Sequence, residues 1–177
     1  MSDLRTRAAT VPVFSSLRYS SVASHILLSA KEAGIKEADE LLLSALRNSL
    51  ANLLISGIGR ATLVPIPSRL GANRKRGRDF IHHLGVKLCE KEPLAVWKVL
   101  EHSRKVVDQS SLNAVQRHEN LSGSMKFSDP RKTGRNVILV DDLVTTGATL
   151  SEAVRTLKAG GMPVVGAITA FLALPIR

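Results

Sequence analysis

Residues 137–150 constrain the fold of this 177-residue chain more than any other stretch. Four consecutive apolar residues, 137–140, are followed by the adjacent carboxylates of Asp141 and Asp142 and then by a turn of threonine and glycine. An apolar run of this kind predicts a strand buried on both faces, which is typical of a parallel sheet covered by helices. The turn leads into a helix that we expect over residues 148–158, so the stretch begins a strand–helix–strand unit.

The rest of the chain alternates between strands and helices in the same way. The spacing of apolar residues predicts three more helices, over residues 20–30, 36–55 and 78–90, and three more strands, over residues 61–66, 95–100 and 164–172. A polar stretch of weak periodicity, residues 101–135, is long enough to form a flexible lid loop. We therefore expect one α/β domain over residues 1–177, with a parallel twisted sheet flanked by helices.

Composition excludes several classes of protein. Hydrophobic residues make up 44% of the chain and charged residues 23%, a balance that excludes a disordered chain. Cys89 is the only cysteine, which excludes an internal disulfide framework and a multi-cysteine zinc site. The longest apolar run, residues 163–176, is shorter than the roughly 20 residues that cross a bilayer, and residues 1–7 are polar and basic. We expect a cytoplasmic protein without a membrane span.

The turn that follows the carboxylates suits a phosphate group. Thr145, Thr146 and Thr149 offer hydroxyls, and the backbone N–H groups at the start of a helix lie at the positive end of its dipole. Carboxylates accept hydrogen bonds from sugar hydroxyls and suit a hydrated Mg²⁺. The combination matches a ribose 5-phosphate. The alternative is that a threonine merely caps the helix and that both aspartates are ordinary residues at the end of a strand.

The order of apolar strand, Asp-Asp, Thr-Thr-Gly and Thr resembles the phosphoribosyl-pyrophosphate (PRPP) binding motif of type I phosphoribosyltransferases. Other segments resemble one branch of that family, the competence-associated ComF/GntX-like proteins. These segments are Leu17-Arg18-Tyr19 with Ile26 and Lys31, Val64-Pro65-Ile66-Pro67 with Arg74 and Arg76-Gly77, and Gln109, Leu112, Arg117, Asn120 and Gly123.

The chain departs from the ComF/GntX-like pattern in two places. The family often carries a cysteine-rich zinc ribbon at its amino end, which a chain with Cys89 alone cannot form. The family usually has Phe-Asn-Gln after Arg-Gly, whereas this chain has Arg78, Asp79 and Phe80. The second departure changes the end of a loop whose basic character is kept.

The resemblance implies a Mg²⁺-dependent enzyme that transfers ribose 5-phosphate from PRPP to a nitrogen nucleophile and releases pyrophosphate. The implied catalytic residues are Asp141, Asp142 and Arg76, and the two aspartates would also hold the metal through water or ribose hydroxyls. The implied phosphate-binding residues are Val144, Thr145, Thr146, Gly147, Ala148 and Thr149. Ser68, Arg69, Arg74 and Arg76 would bind pyrophosphate, and Arg104, Lys105, Gln109 and Arg117 would belong to the lid. A nucleoside monophosphate is the alternative ligand, and the acceptor stays open.

A formal net charge of +10 keeps a second class of function open. Five cations lie within residues 69–78, and such a cluster could serve pyrophosphate, nucleic acid or solvent. The competing hypothesis is a non-catalytic protein that binds PRPP or a nucleotide and acts in DNA uptake or regulation, with non-specific nucleic acid as a partner. Aromatic residues make up only 3% of the chain, which argues against a stacking platform for single strands. A homodimer is left open.

Overall fold

The computed structural model describes residues 4–8, 10–58, 61–68, 77–90, 93–104, 120–129 and 134–173. These residues form a six-stranded sheet in the order β1-β2-β8-β7-β3-β4 and a separate antiparallel pair, β5 and β6. Every neighbouring pair in the large sheet is parallel except β1 and β2. The strands are β1 (Leu4–Ala8), β2 (Val11–Arg18), β3 (Thr62–Pro65), β4 (Ala95–Val96), β5 (Leu100–His102), β6 (Met125–Phe127), β7 (Val137–Val144) and β8 (Val164–Leu172).

Helices cover both faces of the large sheet. They are α1 (Ser21–Leu28), which runs into a π-helical turn over Ser29–Ala33, α2 (Lys36–Ile55), α3 (Phe80–Cys89) and α4 (Ala148–Ala159). No helix in the described residues is both long and apolar enough to cross a membrane.

Strand β7 divides the core into two clusters because its side chains alternate between the two faces of the sheet. Ile138 and Val140 pack with α1, α2 and α3, whereas Val137 and Leu139 pack with α4. All four of these side chains are fully buried. The uninterrupted apolar run at 137–140 is therefore required by helices on both faces, as the sequence predicts for a parallel strand.

The neighbouring strands β3 and β7 send their following helices to opposite faces of the sheet. Helix α3 belongs to the same core cluster as α2, and α4 belongs to the other cluster. In open α/β sheets a crevice forms at the carboxyl ends of two such strands, and ligands bind there. By this rule we expect a ligand site beside Asp141 and Asp142.

Several of the predicted elements are confirmed and others need correction. Helix α2 and strand β8 have the predicted bounds, and α1 ends at Leu28 rather than at residue 30 because the chain changes to a π-helical turn. The prediction of one strand over 95–100 is wrong: β4 stops at Val96, and Leu100 starts a strand of the second sheet. Strand β1, which adds an antiparallel edge, has no counterpart in the predicted elements.

Two corrections bear on the site. Strand β7 continues to Val144, because it pairs with β8 as far as Val144 opposite Leu172, so both aspartates lie within a strand rather than after it. The proposed lid over residues 101–135 is too long, because β6 and the end of β5 lie inside it and pair with each other. Residues 105–119 and 130–133 of that stretch lie outside the described residues.

Candidate functional site

The site begins where β7 loses one of its two neighbours. The pairing of β3 with β7 ends at Pro65 opposite Val140, where the Ile66 N–H donates to the Val140 carbonyl at 2.9 Å. The chain then leaves the sheet through Pro67, whose nitrogen has no proton to donate to a strand. Strand β7 continues along β8, so Asp141 and Asp142 lie on the stretch that no longer has β3 beside it.

Asp142 is buried and forms an ion pair with Lys31. Its side chain is 7% exposed, and the Lys31 side chain, which comes from the π-helical turn, is 27% exposed. A carboxylate this deeply buried is stable as an anion only with a cation or several hydrogen-bond donors beside it. Lys31 supplies that cation from a position 111 residues earlier in the chain.

Asp141 sits next to this ion pair and is electrostatically strained. Burial raises the pKa of Asp141 well above its ordinary value, the charge of Asp142 raises it further, and Lys31 opposes both effects. The backbone N–H of Asp142 donates to Asp141 Oδ1 at 2.9 Å. Two carboxyl groups held together with one lysine form a site that gains from hydrogen-bond donors, and sugar hydroxyls are such donors.

The turn that follows β7 has the geometry of an anion site. Gly147 has φ of +76°, a left-handed conformation that favours glycine, and α4 begins at the next residue. Thr145 and Thr146 are exposed, and the Ala148 N–H donates to Thr146 Oγ1 at 3.4 Å. The first N–H groups of a helix have no partner within the helix, so the turn offers donors and the positive end of the helix dipole to a phosphate.

The end of strand β1 packs against this turn. A Cβ on Gly147 would lie 3.2 Å from the Cβ of Ala8, a tight contact. Asp141 and residues 143–150 line a small hollow of about 20 Å³. The amino-terminal hairpin therefore supports the turn, a role that neither the spacing nor the composition of the sequence indicates.

The described residues after β3, 66–68, continue from the strand end that lies beside β7. Ser68 follows Pro67, and His102 Nε2 from β5 lies 3.1 Å from the Pro67 carbonyl oxygen. Because a carbonyl only accepts, this bond requires the proton on Nε2. Sequence reasoning assigned no role to His102, and no spacing signal could have found it. The predicted pyrophosphate residues Arg69, Arg74 and Arg76 lie outside the described residues.

Arg104, near the start of the polar stretch, binds backbone carbonyl groups nearer its end. Its guanidinium donates to the carbonyls of Asn120 at 2.8 Å and Ser122 at 3.1 Å, and the Ser103 N–H donates to the Ser124 carbonyl at 2.8 Å. These bonds extend the β5–β6 pairing beyond the two strands. The other predicted lid residues, Lys105, Gln109 and Arg117, lie outside the described residues.

Arg78, one of the residues that departs from the family pattern, is tied to the π-helical turn. Its guanidinium donates to Asp39 Oδ2 at 2.5 Å and Oδ1 at 3.0 Å, and to the Ala30 carbonyl at 2.5 Å. The hydrogen bond to Asp39 raises the pKa of Arg78 against the smaller opposing effect of burial. Ala30 immediately precedes Lys31, so Arg78 positions the backbone from which the Asp142 partner extends.

The two carboxylates of the site fit a Mg²⁺ ion that protein and ligand hold together better than a metal ion enclosed by protein side chains alone. In the described residues no group of three or more His, Cys, Asp or Glu side chains is placed to hold a metal ion. Mg²⁺ is usually bound through one or two carboxylates together with water and substrate phosphates. Asp141 and Asp142 at the carboxyl end of β7 fit that second arrangement, in which the ligand supplies the remaining oxygens.

The chain is similar in sequence to known proteins over a range that includes the candidate site. The family described as "Phosphoribosyl transferase domain" matches residues 91–174, a range that contains the carboxylate pair and the turn. The chain is also similar to proteins described as "DNA utilization protein YhgH": it is 29% identical to that of Salmonella typhi and 32% identical to that of Escherichia coli O157:H7, each over 136 residues. These alignments cover 69% of this chain and 58% of each relative, so the chain spans less than two thirds of their length.

Among solved structures, the chain is similar to the adenine phosphoribosyltransferase of Leishmania tarentolae. The TM-score is 0.47 and the sequences are 13% identical, over 81% of this chain and 74% of the other. The resemblance drawn from the sequence motifs is confirmed by the family match and by the curated relatives.

Proposed function

We propose that this chain, whose residues 91–174 match the phosphoribosyl transferase domain family, binds PRPP at residues 141–149 and transfers the ribose 5-phosphate group to a nitrogen nucleophile. The observation that carries the proposal is the part of β7 that β3 no longer covers, where the adjacent carboxyl groups of Asp141 and Asp142 lie beside Lys31 and next to a phosphate-type turn at the start of α4. The carboxylates that can accept hydrogen bonds from sugar hydroxyls and the N–H groups that can donate to a phosphate lie in one strand–turn–helix unit. Their order along the chain matches the order of the hydroxyls and the phosphate in a ribose 5-phosphate.

In the proposed reaction the bond between the anomeric carbon and the pyrophosphate oxygen breaks and a carbon–nitrogen bond forms. The proton of the nitrogen passes to water, and pyrophosphate leaves with the bonding electrons. As in glycosyl transfer generally, positive charge develops on the sugar ring and negative charge on the leaving group. Fixed charges that match this separation accelerate such a step.

The residues of the chain divide this task. Thr145, Thr146 and the first N–H groups of α4 hold the 5-phosphate, and Asp141 and Asp142 accept hydrogen bonds from the ribose hydroxyls. Their negative charge also favours the developing positive charge of the ring. Ser68 and the cations of residues 69–76 follow β3, whose carboxyl end lies beside that of β7, and they would receive the pyrophosphate.

Mg²⁺ is proposed as the cofactor, with Asp141 and Asp142 holding it through water or through the ribose hydroxyls. When bound, it would neutralise part of the pyrophosphate charge. The cations of residues 69–76 would supply the remaining positive charge that stabilises the departing pyrophosphate.

Calorimetric titration of the protein with PRPP and Mg²⁺ tests the proposal. Replacing both carboxylates, by Asp141→Asn together with Asp142→Asn, should weaken PRPP binding by at least about 100-fold, because each lost charged acceptor is worth roughly 1.5–3 kcal/mol and each 1.4 kcal/mol is tenfold in affinity. The matched control is Glu37→Gln with Glu40→Gln, which removes two exposed carboxylates from α2 and should leave the affinity unchanged. Equal affinity in the folded Asp variant would rule out this site.

A second assay separates the enzyme from its alternative. The relatives named for DNA utilization and the charge of +10 favour a non-catalytic nucleotide-binding protein as the second candidate. Release of pyrophosphate from PRPP with a panel of nitrogen bases supports the transferase. Binding of PRPP without turnover on any base supports the alternative and leaves the assignment of the site intact.

A further inference from the structure

Lys31 lies in the candidate site although it is remote from the binding motif in sequence. It belongs to the π-helical turn over Ser29–Ala33, and single π-helical turns are rare and occur frequently at functional sites. Its ammonium group forms the ion pair with Asp142 and lies 5.8 Å from the centroid of the Phe80 ring. Neither the strand–turn–helix unit nor the basic cluster at residues 69–78 contains it.

The turn that carries Lys31 is held in place on both sides. Arg78 donates to the Ala30 carbonyl and is itself fixed by two hydrogen bonds to Asp39 on α2. On the other side, Gly34 ends the turn with φ of +65°, where the Ile35 N–H donates to the Ser29 carbonyl. Side chains on fixed backbone select ligands better than side chains on loose loops.

A lysine and a carboxylate together satisfy a hydroxyl group better than either does alone. A hydroxyl donates one hydrogen bond and accepts others, a carboxylate only accepts, and an ammonium group only donates. Asp142 can therefore take the hydroxyl proton while Lys31 donates to the hydroxyl oxygen. The Lys31 side chain is 27% exposed, so a ligand can reach the ion pair from the open end of β7.

We propose that Lys31 is a specificity-determining residue that, with Asp142, recognises one hydroxyl of a ribose, so that the site accepts ribose 5-phosphates and rejects a deoxy form. This inference rests on the proposed function, because it assumes that the ligand sugar lies at Asp142. A sugar without that hydroxyl leaves the buried Asp142 carboxylate and the half-buried Lys31 ammonium group without the hydrogen bonds that the hydroxyl makes to both, and sites built in this way discriminate strongly.

Binding of ribose 5-phosphate, 2-deoxyribose 5-phosphate and 3-deoxyribose 5-phosphate tests the inference without any acceptor. The unmodified protein should bind one of the deoxy sugars roughly 10- to 100-fold more weakly than ribose 5-phosphate. Lys31→Met should reduce that ratio to within about threefold, and Lys31→Arg, which keeps the donors, should retain most of it. Lys36→Met is the matched control, since Lys36 is an exposed lysine at the start of α2, and it should keep the full ratio.

Lys31→Met leaves a buried carboxylate without its cation, so folding is monitored by circular dichroism. If that variant does not fold, the comparison is made between Asp142→Asn alone and Asp142→Asn with Lys31→Met, a pair that differs only at Lys31. Equal ratios within this pair, or a full ratio in folded Lys31→Met, overturn the role of Lys31. Equal binding of all three sugars by the unmodified protein overturns it as well but leaves the proposed function standing, whereas absence of binding to ribose 5-phosphate and to PRPP overturns both.

Discussion

The buried carboxylates of strand β7 and helix α4 have different hydrogen-bond partners, and their pKa values shift in opposite directions. Glu152 on α4 is 5% exposed and accepts two hydrogen bonds from Arg155, at 2.7 and 2.8 Å, and one from the Met125 N–H at 3.2 Å. Burial alone would raise the pKa of Glu152, but these bonds outweigh burial and hold it below the ordinary value. Asp141 and Asp142 share one lysine, and the pKa of Asp141 is raised.

The difference distinguishes a carboxylate that stabilises the fold, Glu152, from the carboxylate pair of the candidate binding site, which lies about a dozen residues earlier in the chain. Glu152 has enough donors to remain an anion, and its bond to Met125 fastens α4 to β6. Among the described residues, Asp141 and Asp142 have fewer hydrogen-bond donors beside them than Glu152 has. A bound ligand could supply the missing donors. Such a conflict costs stability and is tolerated where a binding site requires it. The two regions should therefore respond to substitution in opposite directions.

The largest expected effect is loss of stability on removal of Glu152. Glu152→Ala removes the Arg155 hydrogen bonds and leaves the buried Met125 N–H without its acceptor, which should cost about 2–3 kcal/mol and lower the melting temperature by roughly 5–10 °C. Glu101→Ala is the control: Glu101 on β5 pairs with Lys126 on β6 at 3.2 Å, but both side chains are at least half exposed. That pair should contribute about 0–1 kcal/mol. Equal melting temperatures for the two variants would contradict a structural role of Glu152.

The next effect is the pH dependence of that stabilisation. Because the folded state lowers the pKa of Glu152, its contribution is complete above the ordinary value of 4.5 and is lost as pH falls through the lowered value. Glu152→Gln should be less stable than the unmodified protein at pH 7, and the difference should shrink as pH falls below about 4.5. Urea midpoints measured from pH 7 to pH 3 check this. Parallel curves would show that the charge of Glu152 does not contribute.

The smallest effect is expected at Asp141 and has the opposite sign. A raised folded pKa means that the folded state binds the Asp141 proton more tightly than the unfolded chain does, so stability falls as pH rises above the ordinary value of 3.8. Asp141→Asn removes this penalty and should be as stable as the unmodified protein at pH 8 or more so, by up to about 1 kcal/mol or roughly 2–4 °C. Melting curves at pH 4 and pH 8 check this, and a variant that is less stable at pH 8 would remove the contrast between the two regions.

Much of the fold follows from short-range patterns in the sequence. The apolar run at 137–140, the helix over 36–55 and the turn that opens α4 can each be predicted, because periodicity and glycine conformation depend on residues a few positions apart. Other elements carry no such signal. β5 and β6 have three residues each and acquire their structure by pairing, so the sequence alone suggests an overlong lid at 101–135.

The same distinction applies to the candidate site: features within one short segment can be predicted from the sequence, whereas contacts between distant segments cannot. The sequence by itself determined the two aspartates and the phosphate-type turn, since all of them lie within residues 141–149 and share one strand–turn–helix unit. Only the tertiary structure decided that Lys31 meets Asp142, that Arg78 meets Ala30, and that His102 meets Pro67. Each of these contacts joins residues more than 30 positions apart. The partner of a buried charge is set by how the elements pack, and no local pattern encodes it.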